Sequence, residues 1–506
     1  MRTVVATSLA LAAGICGFAM AAGLSGSLPV AFLVGAVAVA IAGWSVWTRP
    51  IVAIDEHACS RPLKIVSGLL TVVALVQLAR LTVFMVDPAQ VAYSTVPSSS
   101  FVRGHSCLTA YFVAAEAVGQ GQDIYDDALY TAPDDNKAGA RKGRMMGPFV
   151  VDVYEYPPPF LLVPRACRLL TTDFMRMRTF WFGLNAGLLL LAMQLVARLL
   201  GPVAGTRALL LLPFVWAGQP MMDTLQKGNI HPVVIALAML AMVLFERRHW
   251  AAGAALLAYA MVSKLHPGIL VVYMLARRQW RAAPWTAAMA IAFVVLTLLD
   301  AGWAPFAGFV EHLPRLLSGE AFPAFRNPSA IGINLSVPGL VFKAKLFGVP
   351  GMGFGAMKIV GWIFTIVLLL ASIRAGLRPQ RDGEKPLVWL ALLLLATLRS
   401  PFLPQSYGVI PALWLLTLLA ATYAPTAKTL TVVVLTVLAL NVHWPLDSAM
   451  EPRLRAVLYL LPQTVTIMIA VMGLRRRVEA EGHAQPEQRP NARSAADGLE
   501  RLRVRL

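Results

Sequence analysis

Charge is what this sequence has least of. Asp, Glu, Lys and Arg make up 14% of its 506 residues, where a soluble globular domain carries roughly a quarter. No stretch reads as a water-soluble enzyme domain. Carboxylates are scarcer than cations, with 26 Asp and Glu against 44 Lys and Arg. A net charge of +18 would suggest nucleic acid if the cations gathered on one surface. They fall instead in short loops between apolar runs, as cytoplasmic loops of membrane proteins require, so no nucleic-acid partner is expected. There are only four cysteines, Cys16, Cys59, Cys107 and Cys167, and their spacing fits no metal motif and no dense disulfide framework. Internal repeats of the transporter kind are also missing.

What the chain does have is apolar length. Hydrophobic residues make up 58% of it, in runs near 20 residues. This pattern predicts an all-α polytopic membrane protein. The expected spans are 3–23, 28–47, 65–86, 179–197, 207–222, 230–245, 251–263, 266–275, 284–301, 354–373, 386–402, 406–423, 428–444 and 454–473, about fourteen in all. The first resembles a signal peptide. With 28–47 following at once it reads as half of an uncleaved hairpin, and cleavage near residue 22 stays open.

Arg2, Arg49, Arg61 and Lys64 put the start of the chain and the 49–64 link inside. Residues 87–178 then form a first extracytoplasmic loop, after the N-terminal helices 1–86. The segment 158–172 is apolar but carries Arg165 and Arg168 and is short for a span, so it reads as an interfacial helix. Keeping it out of the count puts Arg198, Arg207, Arg247, Arg248, Arg277, Arg278 and Arg281 inside. A transmembrane core 179–301, a second outer loop 302–353, C-terminal helices 354–474 and a basic cytoplasmic tail 475–506 complete the division.

Polar residues at membrane depth are costly and ask for a reason. Three clusters stand out. QPMMDTLQKGNIHP holds Asp223, Gln226, Lys227, Asn229 and His231, and its plain alternative is a polar turn with an Asn cap. YAMVSKLHPGILVVYML holds Lys264 and His266, against the alternative of a snorkelling lysine. LRSPFLPQSYG holds Arg399, Gln405 and Tyr407, against a polar hairpin tip. Together they suggest an outward cavity in which Lys264 and Arg399 hold a lipid phosphate while a base above takes an acceptor proton.

The chain resembles the GT-C class of lipid-linked glycosyltransferases, and within it glycosyltransferase family 87, the polyprenyl-phosphate-mannose-dependent type. The resemblance rests on AYFVAAEAVGQGQDIYD, YPPPFLLVP, KGNIHP, AAGAALLAYAMVSKLHPGIL, RNPSAIGIN and RSPFLPQSYGV, in that order over residues 87–425. It implies a GT-C-like bundle, a polyprenyl-phosphate sugar as donor with no separate cofactor, a glycolipid or glycan acceptor, and a site on the outer face of a bacterial inner membrane. No metal is expected, since the acidic pairs Asp126–Asp127 and Asp134–Asp135 read as solvated carboxylates of a loop. The resemblance also implies that Tyr156 of the Tyr-Pro-Pro segment joins Lys264, His266, Asn229, Lys227, Arg399, Gln405 and Tyr407 around the substrates. The family carries a catalytic Asp just before its paired aromatics; here that place falls at about Cys107. Asp87 and His105 are the substitutes, ahead of Asp123 and Asp126. His105 titrates near neutrality when unperturbed, which suits a base. Other readings stay open: a flippase using the same cations, or a non-catalytic subunit of envelope assembly.

Overall fold

In hydrocarbon every backbone N–H and C=O must find its partner within the segment, so the apolar runs fold as helices. The computed structural model describes residues 2–48, 59–133, 141–441 and 450–478. Met1–Arg476 form one unit, and nearly all of its regular structure is helical. Seven helices are long and apolar enough to cross a bilayer: Val5–Ser25, Leu28–Ser45, Arg61–Val86, Phe174–Arg198, Ala282–Ala301, Phe354–Leu377 and Pro452–Arg475. An eighth span would join Gln219–Lys227 to His231–Glu246, two helices bent by 103° at their junction.

The count of about fourteen is therefore not reached by length. The expected spans that fall short are helices such as Trp250–Ser263, Gln405–Ala421 and Ala427–Leu440, of 10–17 residues. A bilayer core needs about 20. Pro202–Leu211, Pro213–Trp216 and Gln219–Lys227 break up the region read as the span 207–222. The cluster at residues 219–232, for which a polar turn was the plain alternative, is a buried helix Gln219–Lys227, a short turn, and the start of helix His231–Glu246. The segment read as interfacial is a 3-10 turn, Pro158–Leu161, running into the nine-residue helix Leu162–Leu170.

The centre of the bundle is made by His231–Glu246, Lys385–Thr397 and Gln405–Ala421, which are buried almost throughout. Leu28–Thr48, Ala282–Ala301 and Phe354–Leu377 lie outside them and expose Phe32, Ile291 and Leu370 at 67%, 64% and 61%. Such apolar faces fit lipid rather than water. Close packing brings the first helix onto Phe174–Arg198: a Cβ at Gly183 would stand 2.7 Å from the Cys16 carbonyl oxygen.

At the end where His231–Glu246 finishes, charges pair. Lys385 Nζ lies 2.7 Å from Glu246 and 2.8 Å from Asp382, and Arg378 lies 2.7 Å from Glu384. The helix is 16 residues long, so its start at His231 sits about 24 Å away. That other end carries both long polar intervals. In 302–353, Asn334 knots the loop to the chain after Arg399: its Nδ2 donates to the Pro401 carbonyl at 3.1 Å and its Oδ1 accepts from the Leu403 N–H at 2.9 Å. In 87–178, departing from an all-α reading, the strand Phe149–Val151 pairs in parallel with His105–Ser106 and antiparallel with Met145–Met146. Residues 479–506 of the expected tail lie outside the described residues, as do Asp134 and Asp135.

Candidate active site

The site is assembled by backbone pairing before any side chain is considered. Gln219–Lys227 ends at Gly228, which takes a left-handed φ of 68° that suits glycine. A Cβ there would also press on Leu108 and Trp181 at 3.4 Å. The Gly228 carbonyl accepts from Trp181 Nε1 at 2.9 Å. The neighbouring Lys227 carbonyl accepts from the Cys107 N–H at 2.8 Å. So the turn KGN holds the start of helix Leu108–Gly119, and Cys107 is fixed at its N-terminus.

The parallel strand pair then sets His105 beside Val150 and Ser106 beside Val151. Asp152, the next residue along, arrives next to His105 and Cys107. Thr109 Oγ1 holds it there, accepting from the Asp152 N–H at 3.0 Å and donating to the Ser106 carbonyl at 2.7 Å. His105 Nδ1 lies 3.4 Å from Asp152 Oδ1, and His105 Nε2 lies 3.7 Å from Cys107 Sγ. Asn229 Nδ2 donates to the same sulfur at 3.3 Å, and the Tyr407 hydroxyl is 3.3 Å from it. Among the described residues one group of side chains could hold a metal ion, namely His105, Cys107 and Asp152, whose ligand atoms lie within 4.8 Å of one another.

The electrostatics follow from the enclosure. Burial pushes the Asp152 carboxyl up, and His105 draws it part of the way back. Burial pushes His105 down, against the attraction of Asp152. Burial pushes the Cys107 thiol up to about 12, with Asp152 adding to it. Glu155, three residues on from Asp152, is held well above the usual carboxylate range by burial and then by Asp152, with Lys264 opposing. His105 and Asp152 still keep 19% and 28% of their side chains exposed, so the pair can be reached from outside.

Lys264 enters from another direction. Pro267 cannot continue a helix, and Trp250–Ser263 stops with Lys264 in extended backbone before the 3-10 turn His266–Gly268. Its Nζ stands 5.1 Å from the centre of the Tyr156 ring. Tyr156 is in turn bonded to the Tyr111 hydroxyl at 2.9 Å, and its carbonyl accepts from the Tyr125 hydroxyl at 2.7 Å. The rings of His231 and His266 lie 5.1 Å apart, and both Nε2 atoms are buried with no hydrogen-bond partner. Asn229 Oδ1 accepts from the His231 N–H at 2.9 Å, so one residue ties the histidines to Cys107.

The structure therefore brings together His105, Tyr156, Asn229, Lys264, His266 and Tyr407 of the residues singled out by sequence. Lys227 borders the group but its Nζ is paired with Asp223 at 2.7 Å. Three assignments move away from it. Asp87 caps the end of Arg61–Val86 and gives both oxygens to its own turn, to the Ala89 N–H at 3.0 Å and to Gln90 Nε2 at 3.3 Å. Arg399 turns to helix Phe354–Leu377, where its Nε donates to Thr365 Oγ1 at 2.6 Å and its guanidinium covers Gly361. Gln405 donates to the Leu440 carbonyl at 3.0 Å. Asp123 is turned inward on its own loop, accepting from the Tyr125 N–H at 3.0 Å. Asp126 does likewise, accepting from the Ala128 N–H at 2.8 Å. Two residues were missed as site members. Asp152 lies in the segment read as the first outer loop and was not singled out, because nothing in the order of residues pairs it with His105 across 47 positions. His231 was named in the first polar cluster but not carried into the site.

Residues 154–401 match the family model of glycosyltransferase family 87. No curated protein and no solved structure matches the chain. The match covers Tyr156, Asn229, His231, Lys264, His266 and Arg399, and stops short of His105, Cys107, Asp152 and Tyr407. The resemblance seen in the sequence is thus shown for this segment, and it indicates a membrane glycosyltransferase.

Proposed function

We propose that this family 87 glycosyltransferase moves a sugar, mannose first among candidates, from a polyprenyl-phosphate carrier to an acceptor hydroxyl at the outer face of a bacterial inner membrane. The observation that carries the reading is the meeting of two unlike groups of side chains. One is cationic or able to donate: Lys264 beside Tyr156, with His231 and His266 holding unpartnered buried nitrogens. Such groups suit a phosphate, which takes charge-assisted hydrogen bonds from several donors. The other is basic: His105 with Asp152 at 3.4 Å. Asn229 spans from one to the other.

In the transfer, the acceptor oxygen gives its proton to the His105–Asp152 pair as it attacks the anomeric carbon. The bond from that carbon to the phosphate oxygen breaks on the opposite side. Its electron pair leaves with the lipid phosphate, whose charge Lys264 and the two histidines meet. One displacement of this kind inverts the anomeric centre. The acceptor is a glycolipid or glycan reaching the pair from outside, and the donor's prenyl chain stays in the bilayer, so lipid is a standing partner. A flippase would use the same cations but has no need of a proton acceptor beside them.

The test is release of label. Purified protein is incubated with a polyprenyl-phosphate sugar labelled in the sugar and with membrane-derived acceptor. Label leaving the prenyl lipid for a new product, and staying on the lipid with Asp152→Asn, supports transfer. Label that crosses the bilayer still attached to its lipid would point to the flippase.

A further inference from the structure

We infer that His105, Cys107 and Asp152 form a site for one thiophilic divalent cation of the zinc class. The site shares His105 and Asp152 with the proposed proton acceptor, and an ion bound there would occupy the atoms that take the proton, so metal binding and transfer compete. What these three side chains bind is tested separately. Their chemistry is a zinc donor set: an imidazole nitrogen, a thiol sulfur and a carboxylate oxygen. The atoms lie within 4.8 Å of one another. His105 Nε2 and Cys107 Sγ are already 3.7 Å apart. Ligand atoms around a tetrahedral zinc stand roughly 3.3–3.7 Å apart, given bonds of about 2.0–2.3 Å. The widest separation must close by about 1 Å for one ion to take all three ligands.

The backbone holds all three ligands in place. Cys107 is anchored by its N–H on the Lys227 carbonyl, and Asp152 by its N–H on Thr109. His105 is fixed by the parallel pairing with Val150. Around the sulfur, Asn229 Nδ2 donates at 3.3 Å and the Tyr407 hydroxyl lies at the same distance. Both can donate to a thiolate, and outer partners of this kind steady metal ligands. With the thiol ionised, the set carries two negative charges and a neutral imidazole, matching a doubly charged ion. The nearby Lys227 is already neutralised by Asp223. A thiolate in the set selects zinc-like ions over magnesium or calcium. Three protein ligands leave a fourth position, which is the pattern of an open zinc site. On binding, the sulfur–hydrogen bond is replaced by a sulfur–metal bond and the proton leaves to solvent.

The probe is Co2+, added to the purified full-length protein in detergent and followed by absorption. The expected result is a thiolate-to-cobalt charge-transfer band that saturates at one ion per chain and disappears on adding Zn2+. Cys107→Ser should abolish the band. His105→Ala, which keeps the thiol, should weaken binding by at least about tenfold. A protein with no such band, or a band that survives in Cys107→Ser because another cysteine supplies it, overturns the inference. So does unchanged affinity in His105→Ala. None of these outcomes depends on whether sugar transfer is observed.

Discussion

The two ends of helix His231–Glu246 treat charge in opposite ways. At its C-terminal end two cations are paired with carboxylates: Lys385 has Glu246 and Asp382, and Arg378 has Glu384, itself 2% exposed. At its N-terminal end Lys227 is paired with Asp223 and His105 with Asp152, but Lys264, His231 and His266 gather without a carboxylate partner among the described residues. Among the described residues no carboxylate lies within ion-pair distance of Lys264, which has the face of Tyr156 for a neighbour. The Nε2 atoms of His231 and His266 have no hydrogen-bond partner among the described residues. A buried polar group without a partner costs about 1–3 kcal/mol, so several together call for an explanation other than stability. The paired end has the signature of architecture; the end that keeps unpaired groups has that of a site waiting for an anion.

That contrast can be broken by substitution, and the largest effect is expected at the proton acceptor. Asp152→Asn should lower sugar transfer by roughly 100- to 10,000-fold, the usual contribution of a general base, with little change in the thermal midpoint. Lys264→Ala comes next. Losing a hydrogen bond to a charged group costs about 1.5–3 kcal/mol, so kcat/KM for the lipid donor should drop roughly 10- to 150-fold. The fold should hold, because no carboxylate lies within ion-pair distance of Lys264 among the described residues and burial already favours the neutral form of the nearby Glu155. At the other end the signs reverse. Arg378→Ala removes the ion pair to the buried Glu384 and should lower stability by about 1–3 kcal/mol, read as a fall in the unfolding midpoint, with turnover per folded molecule kept. A loss of turnover without a loss of stability there would erase the distinction between the two ends. The smallest effect is expected for Arg399→Ala, within a few-fold of the parent enzyme in donor KM. Should its KM rise as far as that of Lys264→Ala, the phosphate would have to reach the helix Phe354–Leu377, and the site drawn here would be too small.

Much of the frame was legible in the residues. Runs such as 28–47 and 354–373 returned as the helices Leu28–Thr48 and Phe354–Leu377 with their edges nearly unchanged. The arginines in 158–172 correctly predicted a short helix, since Arg165 reaches Asp300 and Arg168 reaches Glu116 rather than entering lipid. Lys264 and Asn229 stood out because a polar residue in an apolar stretch is expensive wherever the chain takes it. Arg399 stood out for the same reason, and there the reasoning misled. The cost is met in part by Thr365, a hydroxyl on a helix 34 residues back, which hydropathy cannot see. Asp87 misled too, for it serves only its own turn.

The order of residues by itself determined that the chain seeks a membrane, that its polar intervals lie between helices, and that the segment 154–401 carries a glycosyltransferase pattern, because burial in hydrocarbon constrains composition position by position. Only the tertiary structure decided which carboxylate stands beside His105. A two-residue parallel strand pair and one hydrogen bond from Cys107 to the Lys227 carbonyl bring Asp152, Cys107 and Asn229 to one point. Pairings between segments so far apart in sequence depend on backbone geometry, which leaves no periodic trace in the side chains.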